Sequence, residues 1–71
     1  MTPNAETRVQ KITRKLENRL VIFDGYDNKR YTAFIEQVRH GVARIRYSAG
    51  FGHQSVTAYV TDPLRLWWRS R

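Results

Sequence analysis

A chain of 71 residues makes one domain near the lower size limit for independent folding, and without cysteine it has neither disulfides nor thiolate metal ligands to reinforce it. Its formal net charge of +7 is spread along the whole length, so the charge belongs to the folded body rather than to a tail. No apolar run approaches the roughly 18 residues that a membrane-spanning helix needs, and the basic balance points to an anionic partner.

The first predicted element is a helix. Thr2 is a capping residue, Pro3 suits the first helical position, and Glu6 lies near the positive end of the dipole. Val9, Ile12, Leu16 and Leu20 recur at helical spacing, which predicts an amphipathic helix over about residues 3–18. Arg8, Lys11, Arg14 and Lys15 take its polar side. The apolar stripe contains no aromatic residue, so docking onto a sheet is expected rather than lying on a membrane.

Five period-2 runs follow. Strand one covers about 19–24 and ends in Asp24-Gly25 and Asp27-Asn28, residues that tolerate turn geometry. Strand two covers about 30–39, with Tyr31, Ala33 and Ile35 on one face and Phe34 and Val38 on the other. Apolar residues on both faces indicate a bent, barrel-type strand. His40-Gly41 forms a tight hairpin into strand three, 42–48, where Ala43, Ile45 and Tyr47 share one face and Val42, Arg44 and Arg46 the other. A loop around Phe51, flanked by Gly50 and Gly52, leads to strand four, 55–61. Asp62-Pro63 breaks that strand before a short fifth, 64–68. Phe23, Ile45, Tyr47 and Val56 are expected in the core. Trp68, which shares parity with Leu64 and Leu66, joins them, leaving Trp67 exposed beside Arg65 and Arg69. The expected architecture is mainly β: a five-stranded small antiparallel barrel over about 19–69, preceded by the α-helix, in one domain spanning 1–71.

Catalytic chemistry has little to stand on. The two histidines, His40 and His53, have no acidic cluster beside them, while a zinc site needs three or four convergent ligands. No Ser–His–Asp arrangement or phosphate loop is recognisable. No enzyme activity, metal or cofactor is expected. Guanidinium groups make bidentate contacts to phosphate and aromatic rings stack on unpaired bases, so the basic and aromatic residues carry the functional reading. The candidates are Lys29, Arg30, Arg39, Arg44, Arg46, Phe51, Arg65, Trp67 and Arg69. For Phe51, packing in the core and a functional role stay equally open.

Tyr31-Thr32-Ala33-Phe34-Ile35, His40-Gly41, the alternating 42–47 segment, Gly50-Phe51-Gly52 and Leu64-Arg65-Leu66 together resemble the SH3-like small barrels, most closely the Tudor branch, over about residues 20–68. That resemblance implies an aromatic cage for methylated lysine or arginine, formed by Tyr31, Tyr47 and Phe51 with Tyr26 or Phe23. A helix followed by five strands is also similar to the Sm and Hfq-like fold, although Ser55–Thr61 lacks that family's Tyr-Lys-His signature. A comparable strand in plasmid-type dihydrofolate reductase carries a central Gln that Val56-Thr57-Ala58-Tyr59 does not.

The sequence therefore predicts a cytosolic barrel that contacts the phosphate backbone of DNA or RNA, in regulation of transcription or RNA. The alternative is a protein-interaction module, either a reader of methylated residues or an adaptor on a transcription or ribonucleoprotein complex. A protein partner or a homo-oligomer is compatible with both, and no membrane association is expected.

Overall fold

The computed structural model describes residues 6–69, with side chains from Thr7 to Trp68. It contains six antiparallel strands in one unclosed sheet: β1 (Glu6–Arg8), β2 (Leu20–Asp24), β3 (Arg30–Arg39), β4 (Val42–Ala49), β5 (Gln54–Val60) and β6 (Leu66–Arg69). Their spatial order is β1-β6-β2-β3-β4-β5. Strands β2 to β5 form a meander, and β6 returns to lie between β2 and β1.

This corrects the expected five-stranded closed barrel with an N-terminal α-helix. Residues 6–8 are a sixth strand, paired with β6 through Glu6↔Arg69, Thr7↔Trp68 and Arg8↔Trp67. The capping positions Thr2 and Pro3 lie outside the described residues. The only helical geometry before β2, among the described residues, is one 3-10 turn at Arg14–Leu16. Val9, Ile12 and Leu16 are buried in the core as the periodicity required, but from an extended, turning segment laid across it. Two of the three are β-branched, as are Thr7 and Thr13, which lowers helix propensity. Strand pairing with β6 supplies the backbone hydrogen bonds instead. Asn18, at φ 63°, then redirects the chain into β2, and Leu20 is left 63 % exposed.

A β-bulge explains the doubly apolar β3. Ile35 faces Ile45, but the next β3 residue opposite β4 is Gln37, paired with Arg44, so Glu36 is the extra residue. Such an insertion shifts the side-chain phase by one. Val38 therefore points to the same side as Ala33 and Ile35 and is buried with them, rather than lying beside Phe34 as strict alternation predicted. Glu17 Oε2 accepts a hydrogen bond from the Val38 N–H at 2.7 Å, and Asn18 and Arg19 exchange backbone bonds with Ile35, tying the 9–18 segment to the bulged strand.

The hairpin at His40-Gly41 forms as expected, with both residues at positive φ (53° and 74°), the signature of the tight primed turns. Around the core, Phe23, Ile45 and Leu66 are fully buried, and Tyr31, Tyr47 and Trp68 pack against them. Val56, expected inside, is only half-buried because β5 is an edge strand with nothing beyond it among the described residues. Pro63–Arg65 is a 3-10 turn capped by Asp62, whose Oδ1 accepts from the Leu64 N–H at 2.9 Å. Leu64 therefore does not share the strand parity of Leu66 and Trp68, and it is 54 % exposed.

Candidate nucleic-acid interface

One face of the sheet covers the core, and strand alternation assigns the residues of the other. Register brings Arg8, Trp67, Ile22 and Thr32 into one cross-strand row, and Leu20, Phe34, Arg46 and Thr57 into the next. A third row contains Gln37, Arg44 and Tyr59. Asp24 and Arg30 pair at one end of this outer face, and Arg39 and Val42 at the other. Its described side chains include five arginines against two carboxylates, Asp24 and Glu36. The balance is cationic, with aromatic rings interleaved.

Of the sequence-predicted candidates, Arg30, Arg39, Arg44, Arg46 and Trp67 meet on this face. Arg46 Nη2 lies 2.7 Å from Glu36 Oε2. Arg44 Nε lies 3.4 Å from Glu36 Oε1, close enough for ion pairing but off the hydrogen-bond direction. The bulge thus presents one carboxylate that holds both guanidiniums side by side. These arginines are consequently less independent than solvated side chains would be. Removing both would strand a carboxylate whose side chain is only 19 % exposed.

Trp67 is half-buried rather than exposed. Its indole Nε1–H donates to Asp24 Oδ2 at 2.7 Å, and the Arg8 and Arg30 guanidiniums lie 4.4 and 5.2 Å from its ring centroid. Arg30 Nε also donates to Asp24 Oδ1 at 3.1 Å. Cation–π contacts and the shared carboxylate fix the indole and two arginines as one unit.

The remaining candidates are elsewhere. Arg65 donates to the backbone carbonyls of Asp24 and Gly25 and stacks 4.0 Å from the Tyr26 ring centroid, fastening the β2–β3 turn to the 3-10 turn. Lys29 is exposed in the β2–β3 turn. Phe51 is wholly exposed at the tip of the β4–β5 loop and joins no ring contact. The Arg69 side chain lies outside those described.

The rings implied as an aromatic cage pack on one another instead. Tyr31 and Tyr47 are 4.6 Å apart between centroids, Phe23 is 5.4 Å from Tyr47, and Arg65 already occupies the face of Tyr26. Phe51 takes no part.

Three contributors escape sequence reasoning. Arg8 falls on the expected helix. Phe34, 38 % exposed, is assigned a face by alternation but not paired to Arg46, and Tyr59, 62 % exposed, is not paired to Arg44. The alternation that groups Tyr59 with Thr57 is the available signal; the register across strands is not.

No protein-family model, curated protein or solved structure matches the chain. Among the described residues, no helix is long and apolar enough to cross a membrane.

Beside this face, the β2–β3 turn carries a titratable pair. The Tyr31 hydroxyl donates to Asp27 Oδ2, and Lys29 N–H donates to Asp27 Oδ1 at 3.1 Å. The Tyr31 bond is the main reason the Asp27 carboxyl is held below the usual carboxylate range, and the same bond raises the Tyr31 phenol above its usual range. A lowered acid pKa stabilises the fold above the ordinary carboxylate value of about 3.9 and is lost as pH falls through the lowered value. A raised phenol pKa stabilises below about pH 10 and is lost as pH rises through the raised value. Tyr31→Phe is expected to flatten the stability–pH curve by lowering the plateau between the two ends, where the bond forms, while stability at the acid and alkaline extremes is little changed. Melting curves across pH would read this, and an unaltered curve would show that the bond contributes nothing.

Gly25 closes the same turn. A Cβ there would lie 2.7 Å from Asp27 Oδ1, 2.9 Å from Tyr31 Cε2 and 3.1 Å from the Lys29 carbonyl oxygen. Gly25→Ala is expected to cost about 1–3 kcal/mol through overpacking. It should also move the Tyr31 titration toward an ordinary phenol. A melting temperature equal to that of the parent would refute the close approach.

Proposed function

We propose that this chain binds nucleic acid through the outer face of its sheet, its arginines contacting backbone phosphates and its exposed rings stacking on unpaired bases. The observation that carries this reading is the cross-strand pairing of two exposed rings of the outer face with arginines: Phe34 with Arg46, and Tyr59 with Arg44. Proteins that bind single strands combine cationic side chains that follow the backbone with aromatic rings on which bases stack, and that stacking is tolerant of sequence. Trp67, with Arg8 and Arg30 beside it, extends the same chemistry toward β1. The surplus of arginine over carboxylate on this face supports long-range attraction of the polyanion.

The test is binding of labelled single-stranded DNA, duplex DNA and structured RNA at two salt concentrations. The expected result is affinity that falls steeply with salt and favours single strands. Phe34→Ala combined with Tyr59→Ala should weaken single-strand binding by about 1–3 kcal/mol for each base that no longer stacks. No binding at low salt, or binding indifferent to this pair, would sink the reading.

A second reading, a protein-interaction module, draws on Phe51. A fully exposed aromatic that packs on no other ring is a natural anchor for a protein partner. Loss of a protein complex in Phe51→Ala, with nucleic-acid binding absent from the parent, would favour it.

A further inference from the structure

The sheet has two edges, and they are unlike. At one lies β1, which has three residues among those described. At the other lies β5, with seven residues, paired to β4 in an unbroken ladder from Ala43↔Val60 to Ala49↔Gln54. Among the described residues, no backbone hydrogen bond reaches the free side of β5. Edge strands of monomers are usually blunted by lysine, proline, a bulge or shortness. The β5 sequence, Gln-Ser-Val-Thr-Ala-Tyr-Val, has none of these devices.

The charge distribution singles out the same edge. From Tyr47 to Thr61 the chain has no Lys, Arg, Asp or Glu, its longest uncharged stretch, although the net charge is +7. Two copies of so basic a chain repel wherever cations meet, and along β5 there are none to meet. Val56 and Ala58 point to the core side yet remain half-buried at its rim.

We propose that β5 pairs antiparallel with β5 of a second copy, about a two-fold axis through Ala58. Strand period keeps core-facing residues together in this register. Val56 meets Val60 of the second copy, Ala58 meets its own counterpart, and Thr57 meets Tyr59. Valine packs on valine beneath the sheet, and threonine lies against tyrosine above it. The interface is isologous, as a closed dimer requires. It extends the sheet through both copies and sets the two outer faces side by side. It does not rest on nucleic-acid binding.

The chain has no cysteine, so a single introduced thiol reports on one place only. Opposed Cα atoms in an antiparallel pair are about 4.5–5.5 Å apart, inside the roughly 4.4–6.8 Å that a disulfide spans. Ala58→Cys should therefore cross-link readily under mild oxidation. Ser55→Cys should not, because its counterpart is displaced six positions along the pair, roughly 20 Å.

Sedimentation equilibrium of the unmodified chain, free of nucleic acid, should show a mass rising with concentration toward twice 8.4 kDa. Amide exchange along β5 should slow in parallel, an answer that needs no substitution and stands if Ala58→Cys folds poorly. A monomeric mass at every concentration would overturn the proposal and leave the edge for a strand of a different protein. Dimers in which the β5 amides stay unprotected, or in which both cysteine variants cross-link equally, would overturn it too.

Discussion

Ile45→Ala is expected to cost about 2–5 kcal/mol, a large share of the roughly 5–15 kcal/mol that holds a small domain folded. Ile45 is fully buried on β4, opposite Ile35 on β3 and Ala58 on β5. It thus sits at the centre of the meander, where backbone ladders on both sides limit collapse around a cavity. With so few buried aliphatic residues, no neighbouring layer can fill the space. Thermal melting would read the loss, about 4–8 °C for each kcal/mol in a domain of this size. A melting temperature within a degree or two of the parent would mean that the core is not where the sheet places it.

The second large effect concerns binding. Arg39→Ala with Arg46→Ala removes two outer-face cations while Arg44 remains to hold Glu36. If phosphates are the ligand, the slope of log affinity against log salt should become shallower by about 0.7 for each phosphate left unneutralised on a single strand. Arg46 is the exposed member of its pair and Arg44 still lies beside the half-buried Glu36, so the loss should stay at the roughly 0–1 kcal/mol typical of surface pairs, which the fold can absorb. Lys11→Ala with Lys15→Ala, on the 9–18 segment, is the matched control and should leave the slope unchanged. A slope that responded to the lysines and ignored the arginines would place the binding surface on that segment instead.

Local alternation is readable from the residues alone, whereas long-range pairing is not. Ala43, Ile45 and Tyr47 alternate with Arg44 and Arg46 in the sequence and do so in β4, and His40-Gly41 announces its own turn. Val38 escapes because a bulge is one residue of phase, invisible until β4 is laid against β3. Residues 3–18 mislead for a different reason. Val9, Ile12 and Leu16 need only reach the core, and an extended segment with one turn satisfies the same spacing as a helix. What decides between them is β6, a strand from the other end of the chain that gives Glu6–Arg8 a partner. The site follows the same division. Arg44 and Arg46 are legible as neighbours, but Arg8 beside Trp67 and Phe34 beside Arg46 are products of register.

The position of β6 also sets an order of assembly. Strands β2 to β5 are joined by short turns and can zip together from local contacts. Pairing Val21 with Trp68, or Glu6 with Arg69, closes most of the chain into a loop and comes at a higher entropic cost. Until β6 docks, the edge of β2 presents Leu20-Val21-Ile22-Phe23, uncharged and hydrogen-bonded on one side only. That interval is when the chain is open to misassociation, so refolding yield should fall with protein concentration even where the finished fold is stable.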